Sequence, residues 1–182
     1  ISRAMNEGIR HANGEYIAHL HSDDYYFSND VLATVAERFA ADKVDWMFGN
    51  IQVLKDDVLQ APHTMNPFSY QSLAAGKAFV PHPAVFVRKA AFERVGVFDE
   101  QLKYAMDIDL WLRLGAVARP ATLERALAVF RDHAGSVSSA NKVKARQEEF
   151  RVRRRHIDKA PLSFAIYCLR YLKRMRQLRR ES

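Results

Sequence analysis

The chain has 182 residues, 48% of them apolar, which supports one folded domain with a core and excludes a disordered chain. Its net charge of +7 is unevenly placed: residues 142–182 hold 14 Lys and Arg against 4 Asp and Glu, while residues 1–141 hold 14 against 17. A basic charge spread over the whole chain would suggest nucleic acid, but this charge is not spread. It divides the chain instead into a near-neutral body, 1–141, and a basic tail, 142–182. Cys168, the single cysteine, excludes an internal disulfide framework and a cysteine-built metal site, and fits a reducing compartment. The first residues lack the charged-then-apolar pattern of a signal peptide, and no apolar run reaches the ~18 residues of a membrane span. The chain opens at Ile1 in what reads as mid-helix, so a piece of a longer protein is expected.

Ser2 to Ala12 has helical spacing, with Ala4, Met5, Gly8, Ile9 and Ala12 on one stripe. Asn13-Gly14 reads as the helix stop, Gly14 taking the left-handed position. A buried strand follows, with Tyr16, Ile17, Ala18 and Leu20 apolar, and it delivers His21-Ser22-Asp23-Asp24 at its C-terminal end. Acids at the end of a sheet strand suit a metal or a phosphate-bearing ligand, although Ser-Asp-Asp is equally good turn and cap chemistry.

These segments together resemble the middle of family 2 glycosyltransferases: Ile1-Ser2-Arg3-Ala4-Met5-Asn6-Glu7-Gly8-Ile9, Ala12-Asn13-Gly14-Glu15-Tyr16-Ile17 and Leu20-His21-Ser22-Asp23-Asp24. The resemblance runs to about residue 138 and implies a GT-A-type, Rossmann-like α/β fold, a mixed sheet flanked by helices and incomplete at its N-terminus. It also implies a nucleotide-sugar donor and a divalent cation, Mn²⁺ or Mg²⁺, on an Asp-any-Asp motif. The first acid of that motif falls on His21, the second on Asp23, and Asp24 follows. Asp23 is then the leading metal ligand. Asp24 is a second ligand or orients the ribose or a metal-bound water, and His21 touches the ribose of the donor or the metal as a neutral imidazole, or closes the strand. A hard cation of this kind is held by few carboxylates and keeps phosphate oxygens or waters as its other ligands.

Ser28-Asn29-Asp30 is expected to cap a helix carrying Val31, Leu32, Val35, Ala36 and Phe39 on one face. Val44 to Val53 reads as a central strand, with Asn50 near its far end either buried and satisfied or reaching the site. Lys55-Asp56-Asp57 reads as a hairpin turn, and Thr64 to Gly76 as a loop and short helix that starts at Asn66-Pro67 and stops at Gly76. His82, held between Pro81 and Pro83, is rigidly presented. A strand, Ala84 to Val87, and a helix, Lys89 to Val95 stopped by Gly96, come next. The segment from His82 to Val97-Phe98-Asp99-Glu100 is similar to the family's acceptor side. His82 is thus a candidate acceptor or phosphate contact, or a structural turn.

Ile108, Trp111, Leu112 and Gly115 share a helical stripe, and Asp107 at its start is an N-cap on structural grounds alone. Met106-Asp107-Ile108-Asp109-Leu110-Trp111-Leu112-Arg113 also resembles the family segment whose Asp is the catalytic base of inverting enzymes, which places that role on Asp107. A helix start would lower its pKa. Asp109 either stabilises the first turn or contacts acceptor hydroxyls. Ala126 to Phe130 reads as a last short strand, and Arg131-Asp132-His133 to Ser138 resembles the family's following stretch. That makes His133 a further metal or diphosphate ligand and Ser138 a phosphate contact, against a plain capped loop. A processive Gln-any-any-Arg-Trp motif is not in the sequence, which favours adding one sugar at a time.

The tail is expected to form a basic helix over Gln147 to His156, broken by Pro161, and an amphipathic basic helix over Leu162 to Leu178. Such a helix suits an anionic membrane surface, packing against an absent upstream segment, or nucleic acid. No nucleic-acid motif accompanies it, so nucleic acid is not an expected partner. The sequence thus predicts sugar transfer from a nucleotide-diphosphate donor to a saccharide or lipid-linked acceptor, in bacterial cell-surface polysaccharide or glycolipid synthesis. The expected location is cytoplasmic, peripheral on the inner face of the plasma membrane. The alternative is a non-catalytic sugar-nucleotide-binding protein that keeps the fold.

Overall fold

A computed structural model describes residues 1–62, 67–132 and 141–181. The helices are α1 (Ser2–His11), α2 (Val31–Asp42), α3 (Tyr70–Ala74), α4 (Lys89–Val95), α5 (Met106–Val117), α6 (Lys142–Arg154) and α7 (Pro161–Glu181). The strands are β1 (Tyr16–Ala18), β2 (Tyr25–Tyr26), β3 (Trp46–Lys55), β4 (Val58–Leu59), β5 (Val85–Arg88) and β6 (Ala121–Asp132). They form one mixed sheet in the order β1-β5-β3-β6-β2, with β4 hairpinned onto β3. Among the described residues only the β3–β6 pair is parallel. The sheet, its helical flanks and the central place of β3 match the expectation from the sequence.

The two faces of the sheet explain why β3 reads as a continuous apolar run. Its side chains alternate between faces, and both faces are covered. Trp46 and Phe48 join Val85, Val87 and Ile17 in a core closed by α1, α4 and α5. Met47 and Ile51 join Phe86, Leu127 and Ala128 in a second core closed by Val31, Val35 and Phe39 of α2. Trp46, Met47 and Phe39 are fully buried. Each such side chain contributes on the order of 1.5–3 kcal/mol from burial alone. Gly49 lies where β3 passes Leu127, and a Cβ there would come within 2.4 Å of Leu127 Cγ. The β3–β6 register shifts on either side of Asn50, and Asn50 Oδ1 accepts the Ile51 N–H at 2.9 Å. Asn50 is therefore buried and satisfied, not turned toward a ligand.

Several local expectations are corrected. Gly14 is not left-handed; α1 ends at Ala12 in extended backbone, and the positive-φ glycines are Gly76 and Gly96. Leu20 is 38% exposed, because β1 ends at Ala18 and the chain has already left the sheet. Asp30 is the N-cap of α2 but makes no side-chain cap hydrogen bond; Arg125 grips both its carboxylate oxygens at 2.9 Å, and Ser28 Oγ donates to it. The short helix α3 is capped by Ser69 Oγ, which accepts from Ser72 N at 3.0 Å, while Thr64 and Asn66 lie outside the described residues. Strand β6 runs well upstream of Ala126, its exposed first half hiding it from an apolar-run reading. The Lys55-Asp56-Asp57 hairpin, the stops at Gly76 and Gly96 and the strand and helix after Pro83 are as expected.

The basic C-terminal segment docks on the body. Glu148, Val152 and Arg153 of α6 and Tyr167 and Leu178 of α7 are buried. Arg153 donates to the Leu73 carbonyl and to Glu149, at 2.9 and 2.8 Å for the latter, and its guanidinium lies 4.7 Å over the Tyr167 ring. Gly76 is left-handed with φ of 64°, and a Cβ there would lie 2.8 Å from Tyr167 Cδ2.

Candidate functional site

The acidic turn sits just past β1. Asp24 N donates to the His21 carbonyl at 3.1 Å, closing the turn, and Asp24 Oδ1 accepts the Arg131 N–H of β6 at 3.2 Å. Asp24 Oδ2 is buried without a partner. Burial, with the adjacent Asp23 charge, raises the Asp24 pKa. A buried carboxylate oxygen with nothing to bind, beside a second carboxylate that is only partly covered, fits a divalent cation. Among the described residues no cluster of three or more His, Cys, Asp or Glu could hold a metal alone, so a cation here would draw its other ligands from elsewhere. His133 and Ser138 lie outside the described residues.

Among the described residues His21 and the two acids form no three-member cluster that could hold a metal, and the His21 ring stacks on His82 at 5.1 Å and 13°. His82 in turn meets Phe98 and Trp111, each at 5.9 Å between centroids. Burial first, then the neighbouring His21 and His19, push the His82 pKa down to about 3, so the ring is neutral at physiological pH. His82 Nε2 has no partner. His82 can therefore offer one neutral contact but cannot act as a cation toward phosphate.

Trp111 links this row of rings to a cavity of about 540 Å³ whose wall includes Asp107. The rings thus join the acidic turn to the second predicted centre. Asp107 is not the N-cap of α5: Ala105 holds that position, and Asp107 Oδ1 accepts the N–H of Ile108 at 2.7 Å. Another element holds the turn that leads into α5. Glu148 of α6 places one oxygen 2.9, 2.5 and 2.8 Å from the N–H groups of Lys103, Tyr104 and Ala105. The Asp107 pKa is also opposite in direction to that expected from a helix start. Burial, reinforced by the Glu149 charge, raises it to about 6, outweighing the Ile108 hydrogen bond and Arg153. A carboxylate held near neutrality in a cavity wall is suited to accept a proton.

Asp109 is held by two arginines. It is 4% exposed, and its oxygens bind Arg113 Nε at 2.9 Å and Arg155 Nη1 at 3.3 Å. Arg113 continues to the carbonyls of Val95, Gly96 and Val97 at 2.5, 3.1 and 2.8 Å, closing the end of α4. Sequence reasoning missed Glu148 and the cavity residues Trp111, Glu149 and Arg153. One signal was available: Glu148 and Glu149 are adjacent acids in an otherwise basic helix.

The family model for glycosyl transferase family 2 matches residues 1–96. An uncharacterized glycosyltransferase of Mycobacterium tuberculosis is 33% identical over 130 residues, covering 70% of this chain and 48% of its own. One of Rickettsia typhi is 27% identical over 118 residues, covering 60% of this chain and 37% of its own. The chain thus spans about half or less of the length of these curated relatives. Among solved structures, TarS of S. aureus superposes with a TM-score of 0.64 at 17% identity, over 94% of this chain and 51% of that one. The mannosyltransferase PcManGT of Pyrobaculum calidifontis, in complex with GDP-Man and Mn²⁺, superposes with a TM-score of 0.57 at 19% identity, over 92% and 47%.

Proposed function

The chain belongs to glycosyl transferase family 2 and has the GT-A-type α/β fold, and from that we propose that it forms the metal and acceptor side of an inverting sugar transferase using a nucleoside-diphosphate donor. The observation that carries this reading is the Asp107 carboxylate, raised to about 6, in the wall of a cavity of about 540 Å³. In the proposed step the acceptor oxygen bonds to the anomeric carbon on the face opposite the diphosphate. The bond to the diphosphate breaks and the leaving group takes the electron pair, while the acceptor proton passes to Asp107. Asp107 must enter this step ionised, and its raised pKa makes it a stronger base than an ordinary aspartate.

Asp23 and Asp24 are the residues that would hold a divalent cation, which when bound offsets the negative charge gathering on the departing diphosphate. The PcManGT complex, with its GDP-Man and Mn²⁺, supports both the donor class and the cation. His21 and His82 stack on one another between the donor turn and the acceptor side. The acceptor is a saccharide or a lipid-linked saccharide.

The outer face of α7 supports work at an anionic membrane surface. Leu162, Leu169 and Leu172 are 81%, 71% and 52% exposed, beside exposed Arg170, Lys173 and Arg176. No helix among the described residues is long and apolar enough to cross a membrane.

The test is donor turnover by the protein at its full encoded length, across a panel of nucleotide sugars with and without Mn²⁺. Metal-dependent release of nucleoside diphosphate, lost in Asp107→Asn with donor binding kept, is expected. Donor binding without release in the presence of saccharide and lipid-linked acceptors would favour the non-catalytic reading.

A further inference from the structure

The cavity beside Asp107 is rimmed by cations from several elements: Lys77 after α3, Lys142 and Arg146 on α6, and Arg174 on α7. Two of the arginines in its wall are already committed. Arg146 and Arg153 both bind Glu149, at 2.6 and 2.8 Å, and neutralise it. Lys77, Lys142 and Arg174 have no acidic partner among the described residues, and all three are exposed at the rim. Deeper in the same wall, Trp111 is 3% exposed and its Nε1 donor has no hydrogen-bond partner. Trp111 Nε1 is sealed from the cavity space, which therefore offers the Asp107 carboxylate in its wall and three uncompensated positive charges at the mouth.

A neutral saccharide would use the carboxylate and leave the three cations idle. A single carboxylate can bridge two cations, as Glu149 does with Arg146 and Arg153, and would leave the third unmatched. A phosphate or diphosphate matches the charge and can take several cationic donors at once, because its oxygens point in different directions. We propose that this cavity selects an acceptor bearing a phosphate group, its sugar hydroxyl toward Asp107 and its phosphate held by Lys77, Lys142 and Arg174. The inference rests on the transferase reading and adds the chemical class of the acceptor. The phosphate can stand on a soluble sugar or on a lipid carrier, and the rim recognises the same group in either case.

The protein has two tryptophans, and Trp46 stacks on Trp111 at 6.0 Å, so intrinsic fluorescence reports occupancy of the cavity. Titrations without metal or nucleotide would compare glucose with glucose 6-phosphate. A second pair would compare phosphatidylcholine vesicles with and without dihexadecyl phosphate. The phosphorylated probe is expected to bind about tenfold tighter than its neutral partner. The advantage should vanish in the Lys77→Gln/Lys142→Gln double variant and persist in Asp23→Asn, which alters the donor turn. An advantage in the soluble pair assigns a soluble phosphate; one confined to the vesicles assigns a lipid phosphate. Equal binding of phosphorylated and neutral probes in both pairs, or an advantage untouched by the double variant, overturns the proposal. Metal-dependent sugar transfer to neutral saccharides with no phosphate preference would defeat this inference and leave the transferase reading intact. A phosphate preference without any transfer would defeat the catalytic reading and leave the anion site standing.

Discussion

Replacing Asp107 by Asn should make the folded protein more stable, and by an amount that depends on pH. The Asp107 pKa is about 6 in the fold against 3.8 for a free aspartate. Its folded pKa is raised, so the protonated form is the one the fold favours. Any stability it adds is present below the unfolded pKa and is lost as pH rises through 6. At neutral pH the ionised carboxylate then costs the fold about 3 kcal/mol, since each tenfold change in acid strength is worth ~1.36 kcal/mol. Asparagine keeps the acceptor for the Ile108 N–H and carries no charge. Urea unfolding followed by circular dichroism would give the stability difference between Asp107→Asn and the parent at several pH values. Relative to the parent, the variant should gain about 2 kcal/mol between pH ~4.5 and pH ~7.5. A difference that is flat with pH would mean that the carboxyl is not perturbed, and the case for Asp107 as the proton acceptor would fall with it.

Three further outcomes test the surrounding structure. Asp23→Asn should raise the Mn²⁺ concentration needed for half-maximal turnover by about tenfold or more, with unchanged thermal unfolding, since the residue lies in a surface turn. Glu148→Ala strips a buried acceptor from three backbone N–H groups and should cost about 3 kcal/mol in urea unfolding, with Glu148→Gln recovering part of it. Gly76→Ala combines a left-handed backbone with a Cβ 2.8 Å from Tyr167 and should cost about 1–3 kcal/mol, relieved in part by Tyr167→Leu.

The elements that could be read from the sequence are those whose own residues decide them. The helix of α2, the apolar run of β3 and the stop at Gly76 are local patterns; of the expected α2 face Val31, Val35 and Phe39 turn inward, while Leu32 and Ala36 are exposed. What could not be read depends on partners distant in the chain. The start of α5 looks like an aspartate cap, yet Ala105 holds the cap position and the turn before it is clamped by Glu148, more than forty residues onward. The pKa of Asp107 is decided by burial and by Glu149, neither of which is visible in the residues around it. The tail showed its basic and apolar faces in sequence, but not that Tyr167 and Leu178 would turn inward while Leu169 faced out. His21 and His82 were each singled out, and only folding shows that they stack on one another.

The grip of Glu148 is on main chain alone. It reads the N–H groups of Lys103, Tyr104 and Ala105 and none of their side chains. Tyr104 also faces the cavity, one residue before the cap position. Its side chain can therefore be exchanged to reshape the pocket while the peptide plane beneath it stays clamped and Asp107 keeps its place. The protein thus separates the part of its recognition surface that can drift from the part that must hold still, and a redesign of acceptor choice would begin at Tyr104 and leave α6 untouched.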